Sequence, residues 1–245
     1  MEGAGPFNFE GNETGILLLH GGGGGTAADL LPLAKDLHKK GGVTIRVPLL
    51  PGYGTSPEDL KTISIKDWII FVEEEISHMR TNCENLIIGG HSMGAILTLI
   101  MAAEHNFDAL FTISAPVGLQ GFMHKLVPLF KLFITYYPVD SEQFKRETKG
   151  KWVGYDKIPL NIVSKIKTLL DMMEEALPKI HDPILLFQGR LDSTIKEESM
   201  ETIYQKVNST KKREIWLENS DHPILYIPDH DKIISELLGF INDLQ

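Results

Sequence analysis

The sequence predicts an α/β fold in which a mostly parallel sheet is covered by helices on both faces. Three observations carry this. Short, continuously apolar runs alternate with longer stretches of helical spacing, as strand-helix-strand repeats require. Glycine clusters end the first such run and the first helical stretch, where a chain must turn. The composition, 42% hydrophobic and 23% charged over 245 residues, is enough for one large core and too apolar for a disordered chain.

Taken in order, Ile16-Leu17-Leu18-Leu19 is apolar without alternation, which suits a strand buried on both faces. Ala27 to Lys40 has helical spacing and is stopped by Gly41-Gly42. Val43 to Val47 is rich in β-branched residues and reads as the next strand. Ile65, Trp68, Ile69, Val72 and Ile76 form one stripe of a helix over 65–79. Leu86-Ile87-Ile88 is a third buried strand, followed by a helix from Ala95 to Glu104 and a fourth strand over Ala109–Ile113. Ile184–Phe187 and Glu214–Leu217 are two more strands, and an amphipathic helix over Asp229–Leu244 closes the chain. Residues 116–180 break this rhythm. They contain Pro128, Pro138, Pro159 and Pro178 and show no clear strand, so they read as a small helical cap inserted into a core made of 1–115 and 181–245. Phe122, Leu126 and Phe130 in this cap are candidate substrate-binding residues.

Charge and cysteine content narrow the function. With 33 acidic against 24 basic residues the net charge is −9, which repels phosphate backbones and argues against nucleic acid as a partner. Cys83 is the only cysteine, so no intrachain disulfide forms, which fits a reducing compartment. Residues 1–10 show neither a basic nor an apolar signal region, and no uncharged apolar run is long enough to cross a bilayer. The expectation is a cytoplasmic protein without stable membrane insertion; its oligomeric state is open.

The chemistry concentrates in Gly90-His91-Ser92-Met93-Gly94, which lies between a predicted strand and a predicted helix. A sharp strand-to-helix turn there exposes the serine hydroxyl, and the small residues two before and two after it let neighbouring backbone approach. A hydroxyl needs a base, and the base needs an orienting acid. Asp192, in Gln188-Gly189-Arg190-Leu191-Asp192, and His222, in Ser220-Asp221-His222, each follow a predicted strand and so share an edge with Ser92. Asp182 and Asp221 are rival acids; Asp182 precedes its strand and belongs at the opposite edge. Acyl transfer also needs donors for an oxyanion. The backbone N–H of Met93 is one; the second falls in His20-Gly21-Gly22-Gly23-Gly24-Gly25, where Gly22 is chosen and Gly21 and Gly23 remain alternatives. The same glycines fit a dinucleotide loop, G-x-G-x-x-A over 22–27, but Val43 to Leu50 holds no acid to bind a ribose. No Gly-Lys-Ser/Thr follows, which excludes a P-loop.

Together, Leu18-Leu19-His20-Gly21, Pro48-Leu49-Leu50-Pro51-Gly52-Tyr53-Gly54, Gly90-His91-Ser92-Met93-Gly94, Gln188-Gly189-Arg190-Leu191-Asp192 and Ser220-Asp221-His222 resemble the α/β-hydrolases, in particular bacterial carboxylesterases and monoacylglycerol lipases with a small cap. The resemblance runs from Ile16 to Asp243 and is weak over 116–180. It implies a serine carboxylic-ester hydrolase acting through an acyl-enzyme on short- to medium-chain acyl esters, with monoacylglycerols as candidates, and with neither cofactor nor metal. Two departures stand out. Relatives often carry a bulkier residue where this chain has Gly22, so that glycine is expected to widen the acyl pocket or loosen the loop; and many have glycine where this chain has Asp221. Alternatives on the same apparatus are a thioesterase or other acyl or C–C bond hydrolase, or a non-catalytic small-ligand-binding protein.

Overall fold

The computed structural model describes residues 1–118 and 135–243. Seven strands form one sheet in the order β1-β3-β2-β4-β5-β8-β9. They are β1 (Phe7–Phe9), β2 (Thr14–Leu19), β3 (Thr44–Val47), β4 (Asn85–His91), β5 (Ala109–Ile113), β8 (Ile184–Gly189) and β9 (Lys212–Leu217). All pairings are parallel except that of β1 with β3. The helices are α1 (Leu31–Gly41), α2 (Pro57–Thr62), α3 (Ile65–Asn82), α4 (Met93–Ala102), α5 (Ser141–Glu147), α6 (Asn161–Ala176), α7 (Ser199–Lys206) and α8 (His230–Asn242).

Alternate residues of each central strand feed two cores, because successive strand side chains point to opposite faces. Leu17, Leu19, Leu86, Ile88, Leu110, Ile184 and Leu186 meet α3, α4, α6 and α7 on one face. Ile16, Leu18, Ile87, Phe111, Leu185, Phe187 and Ile215 meet α1 and α8 on the other. The stripe predicted on α3 is buried at Trp68, Val72, Ile76 and Met79. Its start is fixed by a capping box, in which the Asp67 N–H donates to Ser64 Oγ (3.2 Å) while the Ser64 N–H donates to Asp67 Oδ2 (2.7 Å). A core of this kind holds α3 through side chains each worth about 1.5–3 kcal/mol on burial.

Every strand and long helix expected from the sequence is present. The segment between β5 and β8 differs in one respect: it contains strands. Tyr136–Pro138 (β6) pairs antiparallel with Lys157–Pro159 (β7). Each is three residues long and ends in proline, too short for a period-two pattern to register. The edge strand β1 is equally short, and α2 and α7 likewise have no counterpart among the elements that the sequence predicts. Within the same segment, Leu169 and Met173 of α6 are buried in the core cluster that holds α4. Candidate residues Phe122, Leu126 and Phe130 lie outside the described residues.

Register decides where the functional loops meet. Leu19 lies opposite Gly90, His91 opposite Ile113, Ile113 opposite Phe187, and Gly189 opposite Leu217. The loops that follow β2, β4, β8 and β9 therefore leave the sheet from one edge, where ligands bind in open parallel sheets.

Candidate active site

Ser92 sits at the turn between β4 and α4 with φ 53° and ψ −117°. Such a backbone costs a non-glycine residue of the order of 1–3 kcal/mol and persists only where the surroundings enforce it. The enforcement is visible in the two flanking glycines. A Cβ at Gly90 would fall 2.3 Å from the Gly94 carbonyl carbon, and one at Gly94 would fall 2.1 Å from the Leu19 carbonyl oxygen. The turn is thus clamped between its own helix and the end of β2, and the Ser92 hydroxyl is held above the sheet edge.

Two other loops bring their side chains to it. The Ser92 Oγ lies 3.0 Å from His222 Nε2, and His222 Nδ1 lies 2.8 Å from Asp192 Oδ2. Asp192 Oδ1 accepts the N–H groups of Thr194 (2.9 Å) and Ile195 (3.2 Å), which fixes the carboxylate plane. Burial pushes the Asp192 carboxyl up, but the hydrogen bond and charge of His222, with the two backbone donors, outweigh it and hold the group below the usual carboxylate range. An ionised carboxylate on Nδ1 keeps the imidazole proton there, so Nε2 faces the hydroxyl as an acceptor.

The rival acids have other duties. Asp221 Oδ1 accepts the N–H of Ser193 (3.1 Å) and of His222 (2.7 Å), tying the loop of the acid to the loop of the histidine. Asp182 accepts the Phe107 N–H (3.0 Å) at the opposite edge of the sheet.

Three residues within the sequence motifs, none of them among the predicted site residues, support the site. His91 Nε2 is 2.8 Å from the carbonyl oxygen of His222. Burial, with the neighbouring His222, pushes His91 down to about 3, so it is a neutral ring that donates from Nε2 and holds the His222 backbone. His20 is buried and pushed down to about 4 by desolvation. Its Nε2 accepts the Leu50 N–H (3.1 Å), so the proton is on Nδ1 and is donated to the Gly21 carbonyl (2.8 Å). In a trans peptide the N–H points opposite to the C=O, so this bond turns the Gly22 N–H away from His20. Tyr53 donates its hydroxyl proton to the Gly22 carbonyl (3.2 Å). The glycine run is therefore pinned, and it is pinned again by the Tyr155 N–H on the Gly24 carbonyl (2.9 Å) and the Thr26 hydroxyl on the Val153 carbonyl (2.8 Å).

The expectation that Gly22 widens the pocket or loosens the loop is not met. A Cβ there would lie 2.7 Å from Met93 Sδ, 3.1 Å from Met93 Cβ and 3.2 Å from the Tyr53 hydroxyl. Met93 and Tyr53 fill the space that a side chain would take. Met93 itself is the first residue of α4, so its N–H has no acceptor within the helix and lies at the positive end of the helix dipole.

Ser92 and His222 open on a cavity of about 760 Å³ whose walls include Ile96, Ile158, Ile162 and Leu225. Such a volume suits a small organic molecule with a mostly apolar body. Among the described residues there is no cluster of three or more His, Cys, Asp or Glu side chains arranged to hold a metal ion, and no helix is long and apolar enough to cross a membrane.

The profile of the Alpha/beta hydrolase family matches residues 16–236. A thermostable monoacylglycerol lipase of Bacillus sp. (strain H-257) is 29% identical over 241 residues, covering 98% of this chain and 95% of that protein. A carboxylesterase of Bacillus subtilis (strain 168) is 25% identical over 243 residues, covering 98% and 96%. Among solved structures, one from work on LipS and LipT, two metagenome-derived lipolytic enzymes, superposes with a TM-score of 0.88 at 25% identity over 99% of both chains. The chain belongs to the alpha/beta hydrolase family and is of its esterase- and lipase-like kind.

Proposed function

We propose that the protein is a serine carboxylic-ester hydrolase working through an acyl-enzyme, with Ser92 as nucleophile, His222 as general base and acid, and Asp192 as the group that orients and charges the imidazole. The observation that carries this reading is the unbroken hydrogen-bonded line from Asp192 through His222 to Ser92 at the floor of an apolar cavity. In the first half-reaction Ser92 Oγ attacks the ester carbonyl as its proton passes to His222 Nε2; the C–O bond to the alcohol then breaks, and His222 returns the proton to the leaving oxygen. Water repeats the sequence on the acyl-enzyme, with His222 as base, and releases the acid and free Ser92. The oxyanion of each tetrahedral intermediate is held by the N–H groups of Met93 and Gly22, each such donor being worth roughly 3 kcal/mol. Support for Gly22 is the His20 bond that turns its N–H away from the buried His20 ring.

The substrate reading is a short- to medium-chain acyl ester, with monoacylglycerols included. The apolar walls support it, and the residues between 116 and 180 act as a cap that contributes Tyr136, Tyr137, Ile158 and Ile162 to them. Hydrolysis of p-nitrophenyl butyrate by the wild type, lost in Ser92→Ala, is the test. Equal turnover by Ser92→Ala would end the proposal, and faster hydrolysis of a butyryl thioester than of the matched oxygen ester would reassign the substrate class.

A further inference from the structure

Asp29 takes no part in the mechanism above, yet it lines the same cavity as Ser92 and His222. It belongs to a short 3-10 turn over Ala27–Leu30 that follows the glycine run. Its position is deep in the molecule, but the residue keeps some accessible surface, and the cavity is the space onto which that surface opens. The carboxyl lies against the loop where a side chain at position 25 would be: a Cβ built on Gly25 would fall 1.8 Å from Asp29 Oδ2. Glycine at 25 is what admits the acid.

The carboxyl is under-satisfied. Asp29 Oδ1 is buried without a hydrogen-bond partner. Thr26 holds the carboxyl through its backbone N–H, while its hydroxyl is committed to the Val153 carbonyl. Asp29 is in none of the ion pairs among the described residues. A carboxyl with one oxygen left unpaired is costly to bury, and in the wall of a mostly apolar pocket it marks where a ligand's polar group goes.

We propose that Asp29 hydrogen-bonds a hydroxyl group carried by the ester substrate and so selects hydroxylated esters over their deoxy counterparts. A hydroxyl fits the site better than an ammonium group. A cation would have to shed its hydration among mostly apolar walls and needs the carboxyl ionised, whereas a hydroxyl can donate to the carboxylate or accept from the acid. Burial pushes the Asp29 carboxyl up to about 7, so both forms are present near neutrality. The hydroxyl belongs either to the alcohol half of the ester, as in a polyol monoester, or to the acyl half, as in a hydroxyacyl ester.

The inference rests on the reading of Ser92 as an ester-cleaving nucleophile, and the experiment separates the two. The kcat/KM values of purified wild type, Asp29→Ala and Asp29→Asn are measured on two matched pairs: 1-butyrylglycerol against propyl butyrate, and ethyl 3-hydroxybutyrate against ethyl butyrate. In the wild type, the hydroxylated member of one pair is preferred, and which pair it is assigns the half of the ester. That preference falls about 10- to 100-fold in Asp29→Ala, the loss expected for a buried hydrogen bond, and less in Asp29→Asn, which keeps donor and acceptor atoms. Absence of any preference in the wild type overturns the inference without recourse to a variant. So does an Asp29→Ala preference within about twofold of wild type, far short of the loss of a buried hydrogen bond. Failure of the wild type to hydrolyse any of the four esters strikes instead at the reading of Ser92.

Discussion

Replacing Asp192 by asparagine changes no volume, and its effect can be worked out from the hydrogen bonds on the page. Asp192 Oδ1 receives two backbone donors, the N–H groups of Thr194 and Ile195, and Oδ2 faces His222 Nδ1. An amide has only one oxygen. If that oxygen stays under Thr194 and Ile195, the amide NH₂ points at His222 Nδ1, which must become an acceptor. The ring proton then moves to Nε2 and meets Ser92 Oγ as a donor, so the base is blocked. Flipping the amide restores the useful tautomer but sets its NH₂ against two backbone N–H groups in a buried site. At about 1–3 kcal/mol for each unsatisfied donor the flip costs roughly 2–6 kcal/mol, which leaves a productive fraction of about 1 in 30 to 1 in 20,000. Loss of the carboxylate's stabilisation of the imidazolium adds to this, so kcat is expected to fall towards 10⁴-fold, about the loss known for the same change in a serine protease triad. Asp192→Ala, which leaves the ring free to choose its tautomer, is expected to be the less damaged of the two. The assay is kcat on p-nitrophenyl butyrate, with unfolding midpoints to show that both variants fold. Asparagine retaining activity within about tenfold of wild type, or alanine proving worse than asparagine, would refute the tautomer argument.

Two further outcomes follow from strain and from burial. Ser92→Gly removes the penalty of a positive φ at the turn and is expected to raise stability by about 1 kcal/mol in urea unfolding while abolishing hydrolysis; an unchanged midpoint would mean that the turn stores no strain. Asp29 holds its proton in the folded state up to about pH 7, whereas in the unfolded chain it releases it near the ordinary aspartate value of 3.8. Between these values the native state binds the extra proton, so the contribution of Asp29 to stability declines as pH rises from about 4 to 7 and then levels off, by at most about 4 kcal/mol. Asp29→Asn lacks this titration, so its stability relative to wild type is expected to climb over that window. Parallel stability curves for the two proteins from pH 4 to 8 would show that burial does not perturb the group.

Much of the architecture was legible because buried parallel strands and amphipathic helices leave strong local patterns. Ile16–Leu19, Leu86–Ile88 and Ile184–Phe187 are continuously apolar because both their faces are covered, and the α3 stripe shows the helical period. Ser92 was legible because the steric demands at Gly90 and Gly94 are met within five residues of chain. Asp192 and His222 could be placed only as residues that follow strands. What was not legible depends on partners distant in sequence. The ribbon of β6 and β7 consists of two three-residue pieces that make sense only once paired. The conformation of the five-glycine run around Gly22 is set by His20 and Tyr53 through bonds that no spacing encodes.

The linear sequence thus determined the layered α/β plan, the sharp glycine-flanked turn at Ser92 and the placing of Asp192 and His222 after strands, since each is written in local periodicity or local sterics. Only the tertiary structure decided which carboxylate faces the imidazole, that the space beside Gly22 is filled by Met93 and Tyr53, and that the Asp29 carboxyl lines the cavity with one oxygen unpaired. These are matters of direction and distance between side chains from separate loops, and they exist only after the strand register has carried those loops to one edge of the sheet.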